Sequence, residues 1–311
     1  MMKKPVWIDS DAGIDDAMAL ILATKLDSID IVGVSAIAGN AELTQTFRNV
    51  RNILALAGRA DIKVYPGAEQ PWIIPLETAP DAHGKDGLGG AVIPESDAPA
   101  ETEHAWDKLY EAACAYPQEL TVVAVGPLTN IANTIIKYPK FASLVKEIAI
   151  MGGAIIGGNR TPAAEFNILA DPHAAQCIFK SGIPVVMFPI DVTHQMRLTK
   201  ADLEEIGSCG KPWSRPLQEA NAYIMPLYER NGHGSVVFMH DSCPVMWLQY
   251  PELFEGKLAG VNVETRSGPA LGITISDLYV YADQLPLKNV TIMLKGDTDG
   301  MAVKVKELLR S

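Results

Sequence analysis

The stretch PVWIDSDAGIDDAMALILATKL, residues 5–26, joins an apolar run of strand length to a helical pattern through a turn holding Asp9, Asp11, Asp15 and Asp16, four carboxylates in eight positions. A buried strand that runs through a short loop into a helix is the repeating unit of a parallel sheet. Like charges crowded into such a turn repel one another, so the turn needs either a counterion or a use.

The same alternation continues outward from this unit. Apolar runs of strand length stand at IDIVGVSAI (29–37), DIKVY (61–65), LTVVAV (120–125), VKEIAIM (145–151) and IPVVMF (183–188). Helical spacing lies between several of them, as in AELTQTFRNVRNILALAG, which ends at Gly58 as a helix C-terminus often does. The expected fold is α/β, with a mostly parallel, Rossmann-like central sheet flanked by helices. Residues 1–311 form one domain, since no linker demands a cut. Beyond about residue 200 the pattern changes to helices near 199–206 and 214–231 and short strands near 257–263, 270–282 and 289–294. The polar stretch 66–104, with HGKDGLGG at its core, reads as a functional or mobile loop.

Composition narrows the functional classes. The chain of 311 residues is 48% hydrophobic and 20% charged, enough for a sizeable core. A net charge of −11, without a Lys/Arg stripe, argues against nucleic acid or an anionic membrane as partner and suits a small neutral or cationic ligand. Cys114, Cys177, Cys209 and Cys243 are widely spaced with no CxxC pair, which fits a reducing, cytoplasmic setting. The apolar run behind the basic start MMKK is too short for a signal peptide, and no segment reaches the roughly 18 apolar residues of a membrane helix.

In an open parallel sheet, ligands collect beyond the carboxyl ends of the strands. The residues there are Asp9 to Asp16, Gly39-Asn40, Gly126-Pro127, Gly152-Gly153 and Asp191, so acids, amides and glycines share one rim. Carboxylates converging in the first turn suit a hard divalent cation, Ca²⁺ or Mg²⁺. An acidic helix start with Asp11 as N-cap fits the same spacing. A second stretch, GGNRTPAAEFNILADPHAA (157–175), offers Asn159, Glu165 and Asn167, the donors and acceptors that grip sugar hydroxyls, or else a polar loop capped by Asp171. In a third, FMHDSCPVMWL (238–248), Asp241 is a metal ligand or an N-cap, and His240 is a proton donor or a satisfied core histidine.

Together these stretches resemble the nucleoside hydrolase family of the inosine-uridine-preferring type, which opens with Asp-Thr-Asp-Pro-Gly-x-Asp-Asp. The ordered matches are DSDAGIDD (9–16), VSAIAGN (34–40), HGKDGLGG (83–90), VAVGPLTNIA (123–132), IMGG (150–153), AEFNILADPHAA (164–175), DVTHQ (191–195) and MHDSCPVMWL (239–248), nearly the whole chain. The resemblance implies Ca²⁺-dependent hydrolysis of the N-glycosidic bond of ribonucleosides such as inosine and uridine to ribose and free base, in nucleoside salvage. It implies Asp11, Asp16, Asp241 and the Val125 carbonyl as metal ligands, and Asp11 as general base toward the attacking water. Asp15, Asn40, Asn159, Glu165 and Asn167 map onto ribose contacts, with Met151 and Phe166 as apolar neighbours of the sugar. His240 is the expected acid for the leaving base, His83 a second group within reach of it, and Asp9 a supporting residue. A homodimer or homotetramer is also implied.

Ser10 and Ala12 depart from the family's frequent Thr and Pro, Val125 from a common Thr, and His173 from a frequent Glu. None removes an expected ligand. Base preference stays open: the segment at 239–248 resembles bacterial members that accept purine and pyrimidine ribonucleosides, and pyrimidine-specific relatives carry a similar His-Asp-x-Cys. Tyr223, Tyr228 and His233 border the base or are core positions of the helix near 214–231. Two other readings compete: a haloacid dehalogenase-type phosphotransferase, which also begins with strand-Asp-x-Asp, and a nucleoside-binding protein without catalysis.

Overall fold

The computed structural model describes residues 3–278 and 287–311. Its strands are β1 (Lys4–Ser10), β2 (Ile29–Ala36), β3 (Val64–Pro66), β4 (Thr121–Ala124), β5 (Glu147–Met151), β6 (Val185–Phe188), β7 (Arg197–Thr199), β8 (Val236–Phe238), β9 (Phe254–Ala259), β10 (Val261–Val263), β11 (Thr274–Ser276) and β12 (Val290–Gly296). Eight of them form one sheet in the order β3-β2-β1-β4-β5-β6-β12-β9. Every pair in it is parallel except β12 with the edge strand β9. The central strands are buried on both faces, which is why they read as unbroken apolar runs.

The six apolar runs of the first part of the chain all become sheet strands, with β3 starting later than expected. The run expected near 257–263 is two strands, parted at Gly260: β9 joins the large sheet, while β10 pairs with β11 in a separate ribbon. Of the strand expected near 270–282, Thr274–Ser276 is present and the part past residue 278 lies outside the described residues. The helices Lys200–Gly207 and Ser214–Arg230 stand where their spacing put them. A terminal helix, Thr298–Arg310, is an addition.

The helix Ile14–Ala23 is buried at every position except Asp15. Such a helix must be covered on all sides, and those of Leu43–Leu56, Ser214–Arg230 and Ser242–Trp247 pack around it. This clamps the acidic turn between β1 and the helix. The strand order reverses between β1 and β4, the point at which an open α/β sheet forms its crevice. Asp11 follows β1 there and Val125-Gly126 follows β4, joined by the bond from Val125 N–H to the Asp9 carbonyl at 2.8 Å.

Candidate active site

The turn after β1 is held by its own polar atoms. Asp16 accepts from Ser10 Oγ at 2.6 Å and from the Gly13 N–H at 2.7 Å, so Gly13, not Asp11, occupies the N-cap position. Asp11 turns away from the helix and accepts from the Asn40 N–H at 2.8 Å. A Cβ at Gly39 would stand 2.1 Å from Asp11 Oδ2, so only glycine lets the β2 loop approach the carboxylate this closely. Ala12, buried between the two acids, has φ of 29°, a left-handed conformation disfavoured for alanine. Its carbonyl accepts from Asn49 Nδ2 at 3.2 Å and its N–H donates to Ser10 Oγ at 3.1 Å, contacts that hold the strained residue in place. Asp9 is supporting: one oxygen accepts from Ser35 Oγ and from Asn130 Nδ2.

Asp241 starts the helix Ser242–Trp247 without capping it. Its carboxylate instead joins those of Asp15 and Asp16, one oxygen from each lying within 4.8 Å of the others. Among the described residues, none hydrogen-bonds to the buried Asp11 Oδ1 or Asp15 Oδ1. Burial and mutual repulsion raise these carboxyls above their usual range: Asp15 and Asp16 to about 6, Asp11 and Asp241 further. Unpartnered oxygens, a shared focus and an all-oxygen donor set fit a hard divalent cation. The geometry groups Asp15 with Asp16 and Asp241, where the resemblance placed Asp15 on the ribose and Asp11 on the metal. Asp11 sits against this trio, fully buried behind the pocket wall.

Above the carboxylates opens a cavity of about 420 Å³, walled by residues from all three motif stretches. Asp15, Asn40, His83, Val125, Met151, Asn159, Glu165, Phe166, Asn167, His240 and Asp241 all line it, while Asp11 and Asp16 do not. Asn167 Nδ2 donates to the carbonyls of Val125 and Met151, each at 3.1 Å, tying β4 and β5 together under the pocket. Glu165 accepts from the N–H groups of Gly153, Asn167 and Ile168, and burial pushes its carboxyl up to about 7 against the pull of those donors. Asn159 Oδ1 accepts from the Phe166 N–H at 2.9 Å. Asp171 is a cap: it accepts from the Ala174 N–H at 3.0 Å and from Thr129 Oγ1 at 2.8 Å.

The opposite wall is aromatic. Of the six histidines in the chain, His83, His194, His233 and His240 line this one cavity, together with Tyr228. His83 Nδ1 accepts from the Ile14 N–H at 3.1 Å, and burial lowers its pKa to about 4, so the ring is neutral and carries its proton on Nε2. Burial, with His194, His83 and His233 nearby, also drives His240 well below the ordinary histidine value. Tyr223 does not reach the cavity: it is half exposed and packs over Gly89. Sequence reasoning missed Arg160, whose guanidinium lies 3.5 Å from Asp81 and 3.8 Å from Glu77 at the pocket edge. It gave no role to His194 either, for which the signal was its place in DVTHQ (191–195), directly after the helix Ile190–Thr193.

The chain matches the family model for inosine-uridine preferring nucleoside hydrolases over residues 6–302. It is 37% identical over 310 residues to a pyrimidine-specific ribonucleoside hydrolase, RihA, of Salmonella gallinarum, covering 99% of both chains. Among solved structures it superposes on a plant nucleoside hydrolase, PpNRh1, with a TM-score of 0.94 at 32% identity, covering 100% of both. A purine-preferring ribonucleoside hydrolase from Gardnerella vaginalis gives 0.91 at 29%, covering 99% of both. This likeness covers nearly the whole chain, and sets aside the phosphotransferase and non-catalytic readings. The chain belongs to the inosine-uridine preferring nucleoside hydrolase family and is a nucleoside hydrolase.

Proposed function

We propose that this enzyme cleaves the N-glycosidic bond of ribonucleosides with water in a Ca²⁺-dependent reaction, releasing ribose and the free base, in nucleoside salvage. The observation that carries the reading is the junction of a carboxylate cluster, with free oxygens on Asp11 and Asp15 among the described residues, with an amide-and-acid rim and a histidine wall at one cavity. Asp15, Asp16 and Asp241 would hold the ion, with Asp11 and the Val125 carbonyl beside them. Once bound, Ca²⁺ would offset the carboxylate repulsion and polarise the water and the sugar hydroxyls nearby.

Asp11 acts as general base: its unpartnered Oδ1 accepts the proton of the attacking water, while the Asn40 N–H fixes Oδ2. Asn40, Asn159, Glu165 and Asn167 orient the ribose, and Met151 and Phe166 pack on its apolar face. As the bond to C1′ breaks, positive charge grows on the ring, and the carboxylates beneath the cavity stabilise it. The electron pair of the bond leaves with the base, which His240, with His83, stabilises by hydrogen bonding; the base then takes up a proton from solvent, and Asp11 returns to solvent the one it accepted from water. Homodimeric or homotetrameric assembly and a cytoplasmic location belong to the same proposal. All four cysteines are free thiols, and no helix among the described residues is long and apolar enough to cross a membrane.

Both purine and pyrimidine ribonucleosides fit this reading. The narrower alternative, pyrimidine specificity, is favoured by the name and 37% identity of the curated relative over the full length. Initial rates of base release from uridine, cytidine, inosine and adenosine decide between them. Release from all four supports the broad reading, release from uridine and cytidine alone the narrow one, and release from none contradicts both.

A further inference from the structure

His240 needs a fixed orientation to meet the leaving base. Its ring is buried and has two polar contacts. Nδ1 lies 2.7 Å from Oγ1 of Thr193, a fully buried residue ending the helix Ile190–Thr193, 47 positions away in sequence. Nε2 lies 3.4 Å from the Tyr228 hydroxyl, too long for a strong bond, on the side of the cavity. The Thr193 hydroxyl has one other acceptor in reach, the Ile190 carbonyl at 3.5 Å, the weakest of the three contacts. Its hydrogen is therefore best placed on His240 Nδ1. In the neutral ring the proton then sits on Nε2.

We infer that Thr193 is a positioning residue, whose hydroxyl donates to His240 Nδ1 and so turns an Nε2–H donor toward the leaving base. His83 reaches the same state by a different route, with the Ile14 N–H occupying its Nδ1. With Nδ1 of each ring occupied, both imidazoles turn Nε2 to the one cavity. No proton need leave His240: the hydrogen bond stabilises the electron pair arriving on the base. His194 and Phe238 pack against the ring, at centroid distances of 5.4 Å and 5.6 Å, and neither occupies Nδ1.

The inference rests on the proposed nucleoside hydrolysis, and its test separates the two. Thr193→Val, Thr193→Ser and His240→Ala are compared, as Ca²⁺-loaded proteins, on uridine and on p-nitrophenyl β-D-riboside, whose leaving group needs no help. Thr193→Val should lower kcat on uridine by about tenfold to a hundredfold, at the low end of acid–base contributions, with KM little changed. It should leave the aryl riboside within about threefold, Thr193→Ser should recover most of the loss, and Thr193→Val should cost nothing further in the His240→Ala background. Equal losses on both substrates, or none on uridine, would overturn it. Ring ¹⁵N signals of His240 without substrate should report the Nε2–H tautomer in the native protein and lose it in Thr193→Val; an Nδ1–H native ring overturns the inference even if uridine is never hydrolysed, and failure to hydrolyse uridine or any other nucleoside overturns the functional reading alone.

Discussion

The Asn40 main-chain N–H donates to Asp11 Oδ2 at 2.8 Å and leaves Asp11 Oδ1 buried with no partner. One oxygen is thus fixed and the other kept free, the division of labour a general base requires. Replacing the acid by its amide keeps the first contact and removes the second. Asp11→Asn should lower kcat by about 10²–10⁴. The same change relieves repulsion with Asp16 and Asp241, so the ion-free variant should melt higher than the ion-free native protein. Steady-state kinetics and thermal melts in chelator check both halves.

The raised carboxyls make a prediction about pH. Asp9 and Glu165 are lifted to about 7 and Asp15 and Asp16 to about 6, so near pH 5 the folded ion-free protein binds more protons than the unfolded chain. His83, His194 and His240, held below the ordinary histidine value, act in the opposite sense, but six raised carboxyls outnumber them, so stability falls as pH rises through that window. Bound Ca²⁺ takes the place of the protons and should flatten the slope. Melting temperatures from pH 4.5 to 7.5, with and without Ca²⁺, test this; an ion-free protein that gains stability over the range contradicts it.

Glu165 accepts three main-chain N–H groups through two oxygens. Glu165→Gln turns one oxygen into a donor facing a donor, and leaves at least one buried N–H unpaired. The expected cost is about 1–3 kcal/mol of folding stability, measured by denaturant unfolding, beyond any effect on ribose binding.

Sugar selectivity follows from the rim. A ribose hydroxyl gripped by buried amides and acids leaves them unpaired when it is absent. Uridine should be turned over at least about ten times faster than deoxyuridine at equal subsaturating concentration; equal rates would contradict the assignment of this wall to the sugar.

How much of this was legible beforehand differs by element. The strands of the parallel sheet were readable because they are buried on both faces, and Gly58 marked a helix end because its φ of 76° suits glycine. Asp241 was ambiguous, since a cap and a ligand share one sequence pattern; only the absence of a capping bond separates them. Thr193 stands in DVTHQ (191–195) and Arg160 in the stretch 157–175, but neither received a role there, because each acts on residues brought near by the fold: Thr193 on His240, Arg160 on Asp81 and Glu77. The carboxylates divide differently for the same reason: the resemblance implies Asp11, Asp16, Asp241 and the Val125 carbonyl as ligands, while the fold brings one oxygen each of Asp15, Asp16 and Asp241 within 4.8 Å of one another. Spacing shows that four acids share a turn, not which oxygens meet.

The central claim is that these carboxylates exist to hold a cation that serves hydrolysis. The most direct measurement is ribose and base release from uridine and inosine by metal-stripped protein, before and after Ca²⁺ is returned. The account predicts negligible release without the ion and full recovery with it, ribose and base appearing in equal amounts. Undiminished release in chelator, or none after Ca²⁺ is restored, would contradict it.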